Sequence, residues 1–186
     1  MQLFPQLETE RFILRNLSFE DADDLFDYFS NDEVTKYYDL ESFVEVRQAQ
    51  ELIQRWNSRY LENKGFRWAI TVKPDNRVIG TCGFHNWVKK YYKAEIGYEL
   101  HPTYWRQGVM TEVIQEIMRF GFEDLGLNRI EAFIDPDNIG SRYLLEKTGF
   151  YEEGYLKDYF FEKNQFVDAV IFALLKKQYD QKKDKF

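Results

Sequence analysis

Apolar residues recur with two different spacings along this chain, and the order of those spacings restricts the folds that it can adopt. Ile130, Ala132 and Ile134 lie two residues apart, which is typical of a strand with one buried face. Val113 and Ile117 lie four residues apart within a longer apolar stripe, which predicts an amphipathic helix. Read along the chain, the two spacings follow the order βααβββαβαββ, which predicts one mixed α/β domain.

Capping and turn residues set the expected bounds of these elements. Ser18 and Asp21 have the spacing of a capping box, Asp137 or Asn138 caps the last predicted helix, and Gly149 ends it. The strands are predicted at 10–17, 66–73, 77–87, 93–102, 128–136, 155–162 and 166–176. The helices are predicted at 18–29, 41–61, 108–126 and 137–149, with a loop at 36–40.

Composition limits the classes of function. The 186 residues predict a single domain, 1–186, with residues 180–186 as a charged tail. The net charge of −7 argues against a nucleic-acid partner and suits a cationic one such as an amine. One cysteine, Cys82, and two histidines predict no disulfide and no metal site. Neither a signal peptide nor a membrane-spanning run is recognisable, so we expect a cytoplasmic protein without membrane contact.

The segment "YWRQGVMTEV", residues 104–113, places a glycine turn between a strand and a helix. The first N–H groups of a helix lack intrahelical partners and carry partial positive charge, so such a turn can bind a phosphate group. Gly108 allows close approach of a ligand to the backbone, and Arg106, Gln107 and Thr111 offer side-chain donors. The alternative is turn chemistry without a ligand, and the local pattern leaves both readings open.

Three segments taken together resemble the GNAT superfamily of N-acetyltransferases: "AEIGYELHPTYWRQGVMTEV", "LNRIEAFIDPDNIGSRYLLEKTGF" and "EEGYLKDYFFEKNQFVDAVIFALLKKQY". Within it, the chain looks most like the subgroup that includes the bacterial N-terminal acetyltransferases of ribosomal proteins. The resemblance runs nearly from end to end, as far as Tyr179. It implies a GNAT fold, with a central, mostly antiparallel mixed sheet of about seven strands and about four helices. It also implies that acetyl-CoA lies in a gap between the fourth and fifth strands.

The resemblance assigns cofactor contacts residue by residue. The backbone of Leu100 and His101 falls where the family pairs with the pantetheine arm. Asn138 matches the asparagine that contacts this arm, and Ser141 matches a small or hydroxyl residue near the acetyl sulfur. The pyrophosphate-binding turn corresponds to Arg106, Gln107, Gly108, Val109, Met110 and Thr111.

The chain also departs from the family pattern. Met110 replaces a usual glycine or alanine, and Arg106 often corresponds to a glycine. The tyrosine that many members use as general acid falls at Leu145, and Tyr143 lies about 200° around the helix from that position. We therefore expect cofactor binding to persist and the general acid to differ.

Acetyl transfer to an amine requires a base, support for an oxyanion and a proton for the leaving thiolate. Glu95 is the expected base, because alternation places it beside the gap on one face with Gly97 and Glu99. A solvent-facing strand glutamate is the alternative reading, and Glu99 is an alternate base. A backbone N–H near Leu100, at a bulge that the family has, is expected to hold the oxyanion. Ser141 is expected to protonate the thiolate or to hold the water that does.

Other polar and aromatic residues admit two readings. His101 is expected to be structural rather than a base, and His85 either lines the acceptor pocket or is structural. Cys82 is expected to be a buried, inert thiol. The aromatic residues of "KYYDL" and "KDYFFEKNQF" form either the acceptor rim or satellites of the core.

The sequence therefore predicts an enzyme, an acetyl-CoA-dependent N-acetyltransferase acting on a primary amine. The expected acceptor is a protein N-terminus, such as that of a ribosomal protein. Two alternatives stay open: a small-molecule acceptor such as a polyamine, amino acid derivative or antibiotic, and an acyl-CoA-sensing module without turnover. The family forms dimers, and the two aromatic-rich terminal strands could pair across one; charges such as Lys157, Glu162 and Lys163 that protect a strand edge are the alternative, so the oligomeric state stays open.

Overall fold

The structure is a computed structural model that describes residues 3–183. Its strands form one sheet in the order β1-β2-β3-β4-β5-β6-β8-β7, and only β5 and β6 run parallel. The strands are β1 Leu7–Glu8, β2 Phe12–Asn16, β3 Phe66–Val72, β4 Val78–Val88, β5 Lys93–Leu100, β6 Arg129–Ile134, β7 Tyr151–Glu162 and β8 Gln165–Leu175. The predicted mixed α/β fold with a mostly antiparallel sheet is confirmed, with β1 as an eighth strand.

Helices cover both faces of the sheet, and a π-helical turn at Phe120–Asp124 extends α4. The helices are α1 Ala22–Phe29, α2 Asp32–Thr35, α3 Val46–Leu61, α4 Val109–Arg119, α5 Ile139–Thr148 and α6 Lys176–Lys183. No helix between residues 3 and 183 combines the length and the apolar character that a membrane span requires.

Two apolar clusters cover the opposite faces of the sheet. Residues of α1 and α3, such as Leu25 and Ile53, pack on one face together with Ala69 of β3. Residues of α4 and α5, such as Val113 and Leu145, pack on the other face in a larger cluster. Successive residues of a strand point to opposite faces, so β5 presents its odd-numbered residues to α1 and α3 and its even-numbered residues to α4 and α5.

The pairing of β5 with β6 ends early, and this leaves an opening in the sheet. Only Lys93, Ala94 and Glu95 of β5 lie in register with β6, opposite residues 129–131. Beyond Glu95 the two strands are no longer paired, although β5 continues to Leu100 and β6 to Ile134. The gap connects the two faces of the sheet at its centre.

Local signals set several element bounds as the sequence predicts. The capping box of Ser18 and Asp21 forms, and Asn138 caps α5. The second predicted helix begins at Val46 rather than at residue 41, because Glu45 forms its capping box. Residues 180–183 of the predicted charged tail belong to helix α6, in which the ring of Tyr179 packs against Phe122 at a tilt of 30°. Residues 184–186 lie outside the described residues.

Candidate active site

The gap between β5 and β6 opens into a cavity of about 410 Å³. Its walls include Glu95 and Gly97 from one face of β5 and Tyr98 from the other. Asn138 and Ser141 of α5 close the side toward α4 and α5. The cavity therefore reaches both faces of the sheet through the gap.

Glu95 lies on the α1/α3 side with two polar neighbours. Its Oε2 is 3.2 Å from Nε2 of His85 and accepts a hydrogen bond from Nδ2 of Asn86 at 3.0 Å. The side chain of Glu95 is 19% exposed and lines the cavity, so a ligand in the cavity can reach the carboxylate. His85 lines the same cavity, which favours the pocket reading of that residue over the structural one.

Glu99, the alternate base, is committed to a buried network. Its carboxylate forms an ion pair with Arg67 and accepts hydrogen bonds from the hydroxyls of Thr81, Tyr28 and Tyr38. Burial acts against the charged form of Arg67, but Glu99 together with the neighbouring Tyr38, Cys82 and Tyr28 outweighs it, and the pKa of Arg67 is raised. Glu99 is therefore occupied in holding α1 and the 36–40 loop on the sheet.

On the α4/α5 side, the hydroxyl of Tyr98 lies 2.5 Å from Oγ of Ser141. Asn138 holds the first turn of α5 in place, since its Oδ1 accepts from the backbone N–H of Ser141 at 3.0 Å. Burial raises the pKa of Tyr98, so its phenol stays protonated and available as a donor. The sequence analysis missed Tyr98, although alternation along "EIGYEL" already places it opposite Glu95.

Leu145 is fully buried in the cluster beneath α4 and α5. Tyr143, two residues earlier, is 65% exposed and does not line the cavity. Neither residue supplies a hydroxyl to the gap. Tyr98 and Ser141, which line the cavity together with Asn138, carry the paired hydroxyl groups on this side.

The turn before α4 has an anion-binding geometry. Arg106 and Gly108 both adopt the left-handed conformation, with φ of +59° and +74°. The first helical bond runs from Glu112 N–H to the carbonyl of Gly108, and the backbone N–H groups of residues 106–111 donate to no acceptor within residues 3–183. Such a series of N–H groups at a helix start suits a phosphate.

Arg11, which the sequence analysis also missed, braces this turn from the β1–β2 connection. Its Nη1 donates to the carbonyl of Gln107 at 3.2 Å. Its Nε and backbone N–H donate to Glu112, in the first turn of α4, at 2.7 and 2.9 Å. The guanidinium therefore compensates the acidic residue nearest the turn, which would otherwise repel an anion.

The other residues predicted to bind the cofactor differ in which of their groups a ligand can reach. Val109 and Met110 are buried in the core, so only their backbone N–H groups can reach a ligand. The side-chain amide of Gln107 donates to the carbonyl of Thr103 at 2.7 Å. Arg106 is exposed and Thr111 is half-buried. The loop 106–111 does not line the central cavity.

The backbone N–H groups of Leu100 and His101, at the end of β5, point in opposite directions. His101 N–H donates to Ile79 of β4 at 2.8 Å, so by alternation the N–H of Leu100 faces the gap. The His101 imidazole contacts Asp27 and packs edge-on against Tyr28, which is a structural placement. The expected bulge at Leu100 is wrong: the β4–β5 register is continuous there and shifts between His85 and Val88.

The remaining candidates are also placed. Cys82 is fully buried, and burial raises the pKa of its thiol to about 12. Tyr37, Tyr38 and Phe160 line the cavity, while Phe161 and Phe166 pack edge-on against each other at the surface. Residues 3–183 contain no cluster of three or more side chains suited to hold a metal ion.

Comparison with known proteins agrees with this architecture. Residues 11–151 match the model of the acetyltransferase (GNAT) domain family. An uncharacterized N-acetyltransferase of Bacillus subtilis, YoaA, is 43% identical over 94% of this chain and 98% of its own. The ribosomal protein uS5-alanine N-acetyltransferase of Escherichia coli is 26% identical over 91% of this chain and 90% of its own.

Among solved structures, the microcin C7 self-immunity acetyltransferase MccE, in complex with acetyl-CoA and AMP, superposes with a TM-score of 0.80. It is 19% identical and the match covers 89% of this chain and 93% of that one, so this likeness concerns the fold. The family match and the identity to YoaA carry the assignment. The chain belongs to the GNAT acetyltransferase family and is an N-acetyltransferase.

Proposed function

We propose that this enzyme transfers an acetyl group from acetyl-CoA to a primary amine through the gap between β5 and β6. One observation carries the proposal: the gap joins a carboxylate–imidazole pair on one face of the sheet to a pair of hydroxyls on the other. Glu95 and His85 form the first pair, and Tyr98 and Ser141 form the second. The acceptor amine is assigned to the first side and the thioester to the second.

The residues present fit the cofactor. The unpartnered N–H groups of residues 106–111 suit the pyrophosphate, and Gly108 leaves room for close approach. The gap-facing backbone of Leu100 and the side chain of Asn138 would hold the pantetheine arm. When bound, acetyl-CoA supplies an activated acyl group whose thiol, with a pKa near 8.5, is a tolerable leaving group.

Glu95 serves as the base in this proposal. An α-amino group has a pKa of about 7.7–8.0, whereas a lysine side chain has one near 10.4, so a base removes the proton more easily from an N-terminal ammonium group. The Glu95 carboxylate, whose Oε2 lies 3.2 Å from Nε2 of His85, can accept the proton of the amine directly or through a water molecule. Its position at the last paired residue of β5 places it at the mouth of the gap.

The leaving group and the oxyanion are assigned to other groups. Ser141 donates to the departing sulfur, with its hydroxyl oriented by Tyr98. The gap-facing N–H of Leu100 supports the developing oxyanion. No other hydroxyl of α5 faces the cavity, because Tyr143 points to solvent and Thr148 donates back to the helix carbonyls of Leu144 and Leu145.

We further propose a cytoplasmic location and retain the homodimer and the ribosomal-protein acceptor as predictions. The similarity to the E. coli ribosomal protein acetyltransferase supports a protein N-terminus as acceptor, at 26% identity. Sedimentation velocity tests the dimer. Incubation of the enzyme with radiolabelled acetyl-CoA and ribosomal protein fractions tests that acceptor.

The cofactor assignment is tested by calorimetric titration with acetyl-CoA. We expect micromolar binding that Gly108→Trp abolishes, because the indole would cover the N–H groups of the turn. Gly126→Trp is the matched control: Gly126 follows α4, has a φ of +68° and has open space around it. Equal loss in both variants would point to backbone strain, and no binding by the folded wild-type protein would refute the assignment.

Turnover separates a catalyst from an acyl-CoA-sensing module. In a CoA-release assay over a panel of amines, Glu95→Gln should lower kcat by about 10²–10⁴-fold and leave the Kd for acetyl-CoA unchanged. Absence of turnover in the wild-type protein with every amine, despite tight acetyl-CoA binding, would favour the sensing module.

A further inference from the structure

The wall that α3 contributes to the cavity carries two arginines whose guanidinium groups are not paired. Arg55 and Arg59 line the cavity, and both are exposed. Within residues 3–183, neither side chain forms a hydrogen bond, an ion pair or a ring contact. Arg67, the third arginine that lines the cavity, differs because it is buried and paired with Glu99. The two arginines of α3 are therefore free to bind a ligand.

The acidic residues near these two arginines are bound to other cations. Glu51, one turn before the first arginine, pairs with Arg47 at 3.7 Å. Glu62 pairs with Lys64 at 2.5 Å, and the charge of Arg59 acts on it more weakly than that of Lys64. Like charges four positions apart on a helix repel each other. An anion between the two guanidinium groups would therefore remove a repulsion in addition to forming charge-assisted hydrogen bonds.

The opposite wall of the cavity is acidic. It includes Asp39 of the 36–40 loop, Asp135 directly after β6 and Glu162 at the end of β7. Burial and the negative charges of Asp39 and Asp135 raise the pKa of Glu162, so the three carboxylates share one region. Helix α3 packs on β3, on the other side of the gap from β6 and β7. The cavity is therefore positive at the α3 wall and negative across the gap.

We propose that the acceptor carries an anionic group, a carboxylate or a phosphate, which Arg55 and Arg59 bind while its amine lies against Glu95. The inference rests on the proposed function, because it adds a second recognised group to the acceptor of that reaction. The two arginines lie about 6 Å apart along one face of α3, so both guanidinium groups can reach one anion. Each guanidinium is planar and presents paired donors that match the oxygens of a carboxylate or a phosphate.

This charge pattern favours an acceptor with separated charges over a diamine or a neutral amine. A neutral amine leaves both arginines of α3 to water, and they repel a second ammonium group that approaches them. The anion is bound in the same way before and during acetyl transfer, so its contribution appears in KM and not in kcat. Arg55 and Arg59 therefore determine specificity without taking part in the chemical step.

The first test compares acceptors in which a carboxylate is replaced by a carboxamide of the same shape. The wild-type enzyme is assayed with the amides of alanylglutamate and alanylglutamine, and with γ-aminobutyrate and γ-aminobutyramide, at equal concentrations of neutral amine. O-phosphoethanolamine and ethanolamine extend the series to a phosphate. We expect kcat/KM to be about tenfold higher for the anionic member, mainly through KM. A preference in the peptide pair identifies an acidic peptide N-terminus as the source of the anion, and a preference in the other pairs alone identifies a small amine.

The outcomes separate this inference from the function on which it rests. Equal or lower kcat/KM for the anionic member of every pair would overturn the inference, while acetylation of the neutral members would leave the proposed function standing. A higher kcat/KM for alanyllysine amide than for any anionic acceptor would also overturn it, because the acidic wall would then select the acceptor. If the enzyme binds acetyl-CoA but acetylates none of these amines, the proposed function fails and the inference fails with it.

The second test removes the two positive charges from α3. The double variant Arg55→Gln and Arg59→Gln keeps good helix formers at exposed positions, so we expect it to fold. The ratio of kcat/KM between anionic and neutral acceptors should fall toward one, through a higher KM for the anionic acceptor. Arg47→Gln is the matched control, because Arg47 is exposed on the same helix and does not line the cavity. An unchanged ratio in the double variant would contradict the inference, and so would an equal fall in Arg47→Gln. If the double variant does not fold, the wild-type acceptor series decides alone.

Discussion

The phenol of Tyr98 gives the active site a hydroxyl that α5 does not carry at Leu145. A serine hydroxyl alone is a weak acid, and its proton can point in several directions. The two hydroxyl oxygens lie 2.5 Å apart and either can donate; in the arrangement in which Tyr98 donates, the Ser141 proton is free to point toward the gap. We propose that Tyr98 acts through Ser141, as a positioning residue.

Replacement of Tyr98 by Phe removes this orientation with little change in volume. We expect kcat to fall about tenfold or more, with the Kd for acetyl-CoA unchanged, because only the transfer of the proton is affected. Ser141→Ala should cause a comparable loss, and the double variant should be no slower than the slower single variant. Steady-state kinetics with calorimetry checks this. Tyr143→Phe, on the exposed part of the same helix, is the control. If the two losses multiply in the double variant, Tyr98 does not act through Ser141.

Residues with local signals could be predicted from the sequence, and residues with distant partners could not. The capping rule places Asp137 or Asn138 at the start of α5, and alternation places Glu95 beside the gap, both within a few positions of the signal. Arg11 contacts Glu112, which lies 101 positions away, and Arg67 contacts Glu99 across 32 positions. Only the folded sheet brings such pairs together, so local sequence signals do not predict these contacts.

At the scale of elements, the short parallel contact between β5 and β6 holds the closed end of the gap. An ion network reinforces it: Lys93 of β5 and Arg129 of β6 both bind Glu131, and Arg129 also binds Glu153 of β7. Burial acts to raise the pKa of Glu131, but the hydrogen bonds and the charges of Lys93 and Arg129 together outweigh it and lower the pKa below 4.5. The hydrogen bond from Arg129 likewise lowers the pKa of Glu153.

A carboxylate with a lowered folded-state pKa contributes stability above its unfolded pKa and loses it as pH falls through the folded value. We therefore expect Glu131→Gln to lower the free energy of unfolding by about 1–3 kcal/mol at pH 7. The difference from wild type should begin to shrink as pH falls below 4.5, where the unfolded-state carboxylate takes up a proton, and should disappear below the lowered folded-state pKa of Glu131. Urea unfolding at pH 7 and pH 4 measures it. Glu146→Gln, on an exposed position of α5, is the control, and a difference independent of pH would contradict the role of this charge.

The elements that the sequence analysis missed lack the signals on which it relied. Strand β1 has two residues and α2 has four, too few to establish a period. Helix α6 has a polar sequence, and its contacts come from Tyr179 on Phe122 and from Lys182 to the carbonyl of Gly149. These are tertiary contacts, and composition alone predicted a tail.

For the whole molecule, the gap divides the sheet into two parts with little direct pairing. Strands β1–β5 carry α1 and α3, while β6, β8 and β7 adjoin α5, and three residue pairs of β5 and β6 connect the parts in register. The gap-facing N–H of Leu100 belongs to the first part, and Asn138 and Ser141 belong to the second. A ligand that bonds to both parts therefore adds contacts where the sheet has none of its own.

Acetyl-CoA should accordingly stabilise the whole fold and not one element of it. At a concentration about 100 times its Kd, binding to the folded state alone adds about 2.7 kcal/mol, or about 5–10 °C in Tm for a chain of this size. Hydrogen exchange should slow both at the end of β5 and at the start of α5, and Gly108→Trp should lose both effects. Differential scanning calorimetry and exchange mass spectrometry check the two expectations. Protection confined to residues 106–111 and the first turn of α4 would mean that the ligand binds the turn without entering the gap, and the transfer of an acetyl group through the sheet would then be excluded.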